Sequence, residues 1–329
     1  MTAEAASLRT NTSCCVSTFC YAHFVPDRLS SNPAQLLFRD QTRARGDLEA
    51  LQARIPTGTF AALPPLLSEI PDPNQALSFL ERLSAQCGEL IALLDSDHVL
   101  LHYALLIFGH SYWLGETLIH NPDLFSVLHR DKNIERSLDR EDFRENLARF
   151  RSRLADAELS LLLARFKKRE YVRITLRDLL GIATVAETTA EISALADVLI
   201  EAALREAEEQ MRKRYGNPQQ VDARGRHAQA PFAVLALGKL GGNELNYSSD
   251  VDLLYLYDGA EAPPGELSLR EYFIRQSQLV TEMLSRATSE GSVFRIDLRL
   301  RPQGHEGEPA VALRHALNCY ARSAHDREL

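Results

Sequence analysis

Residues 238–252 read GKLGGNELNYSSDVD, and they run directly into an apolar stretch, VDLLYLY, that begins at Val251. Asp250 and Asp252 stand one residue apart at its head. Successive side chains of a β-strand point to opposite faces, so the two carboxylates project from one face, close enough to share a divalent cation. Ahead of them, Gly241 and Gly242 allow backbone N–H groups to approach a phosphate closely. A phosphate cradle beside a carboxylate pair is the equipment for metal-assisted phosphoryl or nucleotidyl transfer.

The surrounding pattern extends this reading. FAVLAL at 232–237 is a short apolar run that predicts a strand before the glycines, and VDLLYLY predicts a second. VFRIDLRL at 293–300 predicts a third strand, bounded by Gly291 and Pro302. Its alternation puts Phe294, Ile296, Leu298 and Leu300 on one face and Arg295, Asp297 and Arg299 on the other. Asp297 then joins Asp250 and Asp252. Three carboxylates can hold Mg²⁺, which takes hard oxygen ligands and keeps sites open for substrate phosphates. Arg295 and Arg299, with Arg301 just beyond, would neutralise phosphate oxygens. Taken singly, a D-x-D is mostly a solvated strand end, a Gly-Gly mostly a turn, and a charged strand face mostly solvent-exposed. Their conjunction is what points to a metal-dependent transferase.

Upstream the chain reads as helical. Residues 1–33 are polar and rich in small residues, and predict a poorly ordered tail. A local helix is expected near 34–55, then an extended connection through the Pro-rich IPTGTFAALPPLLSEIPDP at 55–73. Asn74 is the expected cap of a helix carrying Leu77, Phe79, Leu80 and Leu83, and Leu100, Leu101, Ala104, Leu105 and Phe108 mark another. FGHSYWLGETLIHNPDLF at 108–125 predicts short helices with His110 and Trp113 in a core. Residues 134–165 predict a charged helix with a stripe of Leu147, Phe150, Leu154 and Leu159. FKKREYVRITLRDLLG at 166–181 predicts a helix closed by Gly181. Its Arg173 and Arg177 lie one turn apart, either a solvated basic face or a basic helix leaning over an acidic or phosphate site. A long helix over 187–214 buries Ile192, Leu195, Leu199 and Ala203, and an amphipathic helix covers 266–289. The expected division is a tail at 1–33, a helical region at 34–215, a polar linker at 216–230 and a catalytic core at 231–329. Helices followed by strand–helix alternation define an α+β chain: a helical N-terminal region and a small mixed sheet.

Composition bounds the function. The 329 residues carry a net charge of −8 and a hydrophobic fraction of 45%. That balance argues against broad nucleic-acid binding, which needs a surplus of Lys and Arg to neutralise phosphates. It suits a nucleotide or protein substrate. Cys14, Cys15, Cys20, Cys87 and Cys319 form an odd, unevenly spaced set that fits neither a disulfide framework nor, with His23, a usual zinc pattern. The N-terminus shows no secretory signal and no apolar run is long enough to span a membrane, so the expected location is the cytoplasm.

The arrangement resembles the nucleotidyltransferase fold of DNA polymerase β. GKLGGNELNYSSDVDLLYLY, FKKREYVRITLRDLLG and IDLRLRPQGHEGE sharpen the likeness. From about residue 74 onward, with FGHSYWLGETLIHNPDLF, they are similar to the bifunctional glutamine synthetase adenylyltransferase/adenylyl-removing enzymes. Those enzymes carry two such domains in tandem. The N-terminal one removes AMP from a tyrosine of glutamine synthetase by phosphorolysis, and the C-terminal one adds it from ATP. The single GKLGG motif here, with its ELNYSSD wording and Asn246, looks more like the N-terminal copy. Where family members read through a Trp near HDREL, this chain has Arg327 and stops at Leu329, so a C-terminally truncated core is expected.

The resemblance implies Mg²⁺ on Asp250, Asp252 and Asp297, with phosphate oxygens held at Gly241, Gly242, Ser248 and Ser249. Lys239 contacts phosphate or is solvent-exposed. Inorganic phosphate would attack the tyrosyl-AMP, releasing ADP. Glutamine synthetase is the implied protein substrate, and glutamine and a PII-type signal protein are the implied regulators. Two other readings stand beside this one: adenylylation of glutamine synthetase with ATP, and a module that docks on glutamine synthetase without turnover.

Overall fold

A computed structural model describes residues 38–130, 132–154, 156–221, 226–259 and 267–323. The expectations for residues 1–33, for Cys14, Cys15, Cys20 and His23, and for HDREL lie outside them. Ten helices come first: α1 (Gln41–Arg54), α2 (Thr57–Ser68), α3 (Pro73–Gln86), α4 (Gly88–Ser96), α5 (His98–His110), α6 (Tyr112–His120), α7 (Phe125–Arg130), α8 (Arg140–Arg153), α9 (Leu159–Leu179) and α10 (Val185–Tyr215). A two-stranded antiparallel ribbon follows, β1 (Gln219–Val221) with β2 (His227–Gln229). The remainder is β3 (Phe232–Ala236), a single turn α11 (Gly238–Gly241), β4 (Val251–Tyr257), α12 (Leu269–Ser285), β5 (Ile296–Asp297), β6 (Ala310–Ala312) and α13 (Leu313–Ser323). The α+β architecture, helices before a small mixed sheet, is the one the sequence predicts.

Local chemistry explains most boundaries. Thr184 and Glu187 form a reciprocal capping box that starts α10, and Asp139 and Asp142 do the same for α8. α9 ends where Gly181 takes a φ of +65°, and the N–H of Ile182 reaches back to the Arg177 carbonyl at 3.0 Å. Ile192, Leu195, Leu199 and Ala203 are all buried along α10 as expected.

Several expectations fail for identifiable reasons. The Pro-rich segment is not extended: α2 contains Pro64 and Pro65, and the burial of Leu63, Leu66 and Leu67 outweighs the backbone bonds those prolines forgo. Asp72, not Asn74, caps α3, accepting from the Gln75 amide at 2.9 Å with Pro73 at the first helical position. Asn74 instead ties down the preceding chain through the amides of Arg39 and Asp40. Residues 134–165 are not one helix; they divide between α8 and α9, and 166–179 continues α9 without a break. The polar linker contains the β1–β2 ribbon. Trp113 is 51% exposed and His110 is also exposed, so neither is a core residue.

Packing divides the chain along α9. One apolar cluster joins α1–α7 and takes Val172 and Leu176 from α9; the other joins α8, α10, the sheet and α12, and takes Phe166, Tyr171 and Ile174. β4 is the centre of the sheet, antiparallel to β3 and parallel to both β5 and β6. Phe273 of α12 stacks on Phe232 and on Tyr257, each at 5.2 Å, which seals one sheet face. No single described helix is long and apolar enough to cross a membrane.

Candidate active site

β3 ends at Ala236, and the amide of Leu237 still pairs with the Asp252 carbonyl at 2.9 Å. The chain then turns sharply at Gly238, with φ +55°, into α11. A Cβ there would lie 2.5 Å from Oδ2 of Asp252, so only glycine permits both the turn and the carboxylate. Gly241 is required for a different reason: its Cβ would meet the Ala236 carbonyl at 2.6 Å. The expectation that Gly241 and Gly242 offer their amides to phosphate is corrected. Those N–H groups donate to the carbonyls of Leu237 and Gly238, both at 3.1 Å. Gly238 is the glycine at the site, and its signal in the sequence is its position directly after an apolar strand.

The carboxylates come together through register. Asp252 of β4 pairs with Asp297 of β5, one rung beyond Val251 and Ile296. Register partners share a face, so both acids point the same way. Partial burial and the neighbouring charges of Asp297 and Asp250 push the Asp252 carboxyl above its usual range. The outer two acids are already neutralised. Arg295 bonds Asp250 through Nε and the Ser248 carbonyl through its other arm at 2.9 Å. Arg299 grips Asp297 through its backbone amide at 2.8 Å and its Nε at 2.7 Å, and this holds the Asp297 carboxyl below its usual range. Among the described residues, no three acidic, His or Cys groups close into a ligand set for a metal ion. The donors themselves are hard oxygens of the kind Mg²⁺ takes, and among the described residues Asp252 has no ion pair, the charges of Arg299 and Lys239 favouring its ionised form only in part.

The other sequence-predicted residues scatter. Lys239 is exposed, with Nζ 3.2 Å from Oγ of Ser249, and Ser249 in turn bonds Asn246. Ser248 contributes its carbonyl to Arg295. The third strand is much shorter than 293–300: only Ile296–Asp297 pair, and a turn follows in which the Arg301 amide returns to Leu298. Arg301 therefore leaves the phosphate-facing set. Its guanidinium donates to the carbonyls of Gly307, Leu298 and His305 at 3.0, 2.7 and 3.1 Å, and so ties its own loop.

Comparison with known protein families matches residues 101–329 to glutamate-ammonia ligase adenylyltransferase. The chain belongs to that family. The curated relatives include "Bifunctional glutamine synthetase adenylyltransferase/adenylyl-removing enzyme" of Shewanella oneidensis, 34% identical over 227 residues, 68% of this chain and 23% of the relative. The enzymes of the same name from Nitrosococcus oceani and Thioalkalivibrio sulfidiphilus are 35% and 36% identical, each over 68% of this chain and 23% of the relative. The chain thus spans about a quarter of the length of these relatives.

Within the segment matching glutamate-ammonia ligase adenylyltransferase, the basic pair of α9 has an unexpected place. Arg173 is 0% and Arg177 2% exposed. Neither a solvated face nor a phosphate contact describes them. Arg173 bonds Glu170 at 2.9 Å and Glu191 of α10 at 2.6 Å. Arg177 pairs with Glu191 at 3.3 Å and donates to the Ile134 carbonyl and Ser137. Burial opposes the Arg173 charge, but the two carboxylates more than compensate and hold its pKa above the usual value. The sequence reading also passes over Lys167. Its ammonium donates to the Val293 carbonyl and sits 4.9 Å from the Tyr171 ring centre and 4.6 Å from that of Phe294.

Proposed function

We propose that this chain carries the adenylyl-removing half-reaction on glutamine synthetase: inorganic phosphate attacks the α-phosphorus of tyrosyl-AMP, the bond to the tyrosine oxygen breaks, that oxygen takes up a proton, and ADP and the unmodified tyrosine side chain result. The observation that carries a nucleotidyl-transfer reading is the pairing of Asp252 with Asp297 beside the Gly238 turn. Family membership supports the substrate class, and the ELNYSSD wording with Asn246 supports the direction.

In this reading Asp250, Asp252 and Asp297 hold Mg²⁺, which supplies charge stabilisation to the phosphate oxygens when bound. Arg295 and Arg299 then release their carboxylates and turn to phosphate oxygens, for which a guanidinium fork is suited. Lys239, which bonds Ser249, would add a donor for the incoming phosphate. Glutamine synthetase, nucleotide, inorganic phosphate and a PII-type signal protein are the partners it implies, and a glutamine synthetase substrate implies the cytoplasm.

The test incubates the chain with adenylylated glutamine synthetase, Mg²⁺ and inorganic phosphate, and separately with the unmodified enzyme and ATP. ADP release in the first mixture alone is expected, and Asp250→Asn abolishes it with the fold intact. AMP incorporation in the second mixture, without release in the first, would reverse the direction. Phosphorolysis retained in Asp250→Asn would overturn the carboxylate reading. Binding to glutamine synthetase with no turnover in either mixture would leave a docking module in its place.

A further inference from the structure

α9 reaches the strand of Asp297 through one side chain. Lys167 donates from Nζ to the Val293 carbonyl, four residues before that acid, and packs under the Phe294 ring at 4.6 Å. The same ammonium lies 4.9 Å from the ring centre of Tyr171. Tyr171 meets Tyr247 edge-on, at 5.5 Å and 87°, and Tyr247 leads into the loop that presents Asp250. Lys167 therefore touches the chain entering β5 directly and is linked to the chain entering β4 through the Tyr171 ring. Its neighbours reinforce the attachment. Lys168 pairs with Glu290 at 2.8 Å and Arg165 with the same carboxylate at 3.6 Å, which fixes the turn before β5.

A lysine is a costly residue here. Enclosing an ammonium removes hydration that an apolar side chain of equal length would not lose, and Arg295 nearby carries the same sign. Methionine would fill the space at lower cost. What the ammonium adds is direction, because its N–H donors fix one carbonyl and its charge seeks the faces of two rings.

We propose that Lys167 is a positioning residue that holds the chain entering β5, and with it Asp297, in place beside the loop carrying Asp250, and so refines the carboxylate spacing that β4–β5 register brings about. The inference rests on the reading of those acids as one cation site. Its test is Mn²⁺ binding by the whole chain, followed by electron paramagnetic resonance and free of any turnover. Wild type binds, Asp252→Asn does not, and Lys167→Met binds roughly tenfold more weakly, as when a supporting contact of a metal ligand is lost. Lys167→Arg, which keeps the cation, recovers most of the affinity. Unchanged affinity in Lys167→Met, or no recovery in Lys167→Arg, would overturn the proposal alone. Absence of Mn²⁺ binding in the wild type would remove the carboxylate reading and this inference with it. If Lys167→Met loses its helical circular dichroism, Lys167→Gln carries the comparison. Failure of both to fold would mark a purely structural residue and overturn the proposal.

Discussion

Asp252 and Asp297 occupy the same rung of a parallel strand pair; among the described residues Asp252 has no ion pair, while Arg299 closes over Asp297. The inner acid bears the like-charge cost of the arrangement. That asymmetry lets the proposed catalytic role of Asp252 be separated from its effect on stability.

On the proposed function, replacing Asp252 with Asn should remove activity but not stability. Its folded pKa is raised, so the ionised carboxylate opposes folding at neutral pH, and that cost is relieved as pH falls through the folded value. The neutral amide relieves it at every pH. The expected melting temperature of Asp252→Asn at pH 7 is unchanged or up to about 2 °C higher, with phosphorolysis lost. A clear drop in melting temperature would show that the carboxylate is held by contacts stronger than the repulsion.

Gly238→Ala and Gly181→Ala share a left-handed backbone, with φ of +55° and +65°, but differ in surroundings. Nothing lies within 4 Å of an added Cβ at Gly181, while at Gly238 it meets Oδ2 of Asp252 at 2.5 Å. Gly181→Ala should cost about 1–2 kcal/mol in urea unfolding, the strain of the backbone alone. Gly238→Ala should cost more and should also weaken Mn²⁺ binding. Equal costs with equal metal affinity would mean that the carboxylate moves aside freely.

Glu191→Ala tests the buried charge network. Glu191 accepts from the Leu138 amide at 2.7 Å and from Arg173 at 2.6 Å, and its removal leaves Arg173 enclosed with one carboxylate fewer. The expected loss is about 3–5 kcal/mol by denaturant titration. A loss under about 1 kcal/mol would show that Glu170 alone suffices for the guanidinium.

Lys167 gives a pH signature of opposite sign to an ordinary ion pair. Burial, aided by the Arg295 charge, lowers its pKa to about 8, against 10.5 for a free side chain. Between those values the unfolded chain binds the extra proton, so stability rises with pH across the window and is flat below it. The stability of wild type relative to Lys167→Met should therefore increase from pH 8 to 10.5, by about 3 kcal/mol at most. A constant difference over that range would place the ammonium in water.

Different parts of the molecule were legible to different degrees. The apolar run that becomes β4 follows from the two-residue period of a strand, though Asp250 stands just before it, and the stop at Gly181 follows from a backbone angle that glycine takes at least cost. α2 (Thr57–Ser68) lay hidden within the Pro-rich segment because local rules count the prolines but not the burial of Leu63, Leu66 and Leu67. Trp113 looked like core by type alone, yet its ring stands at the surface, edge-on to Tyr171. β5 was overestimated because alternation in VFRIDLRL continues past the point where Arg301 gathers three carbonyls into a turn.

The arginines mark the limit most clearly. Arg173, Arg295, Arg299 and Arg301 are the same letter with the same charge, and neighbouring residues do not tell them apart. Their partners do: Glu191 from another helix, Asp250 from the loop before β4, Asp297 two residues away, and the carbonyls of one loop. The amino-acid order by itself determined the α+β class, most of the helices and the family of the chain, because dihedral preference and apolar period act over a few residues. Only the tertiary structure decided which cations are buried, which are bound to the acids and which glycine the carboxylate requires, because charge neutralisation and steric exclusion depend on groups that the chain brings together from far apart.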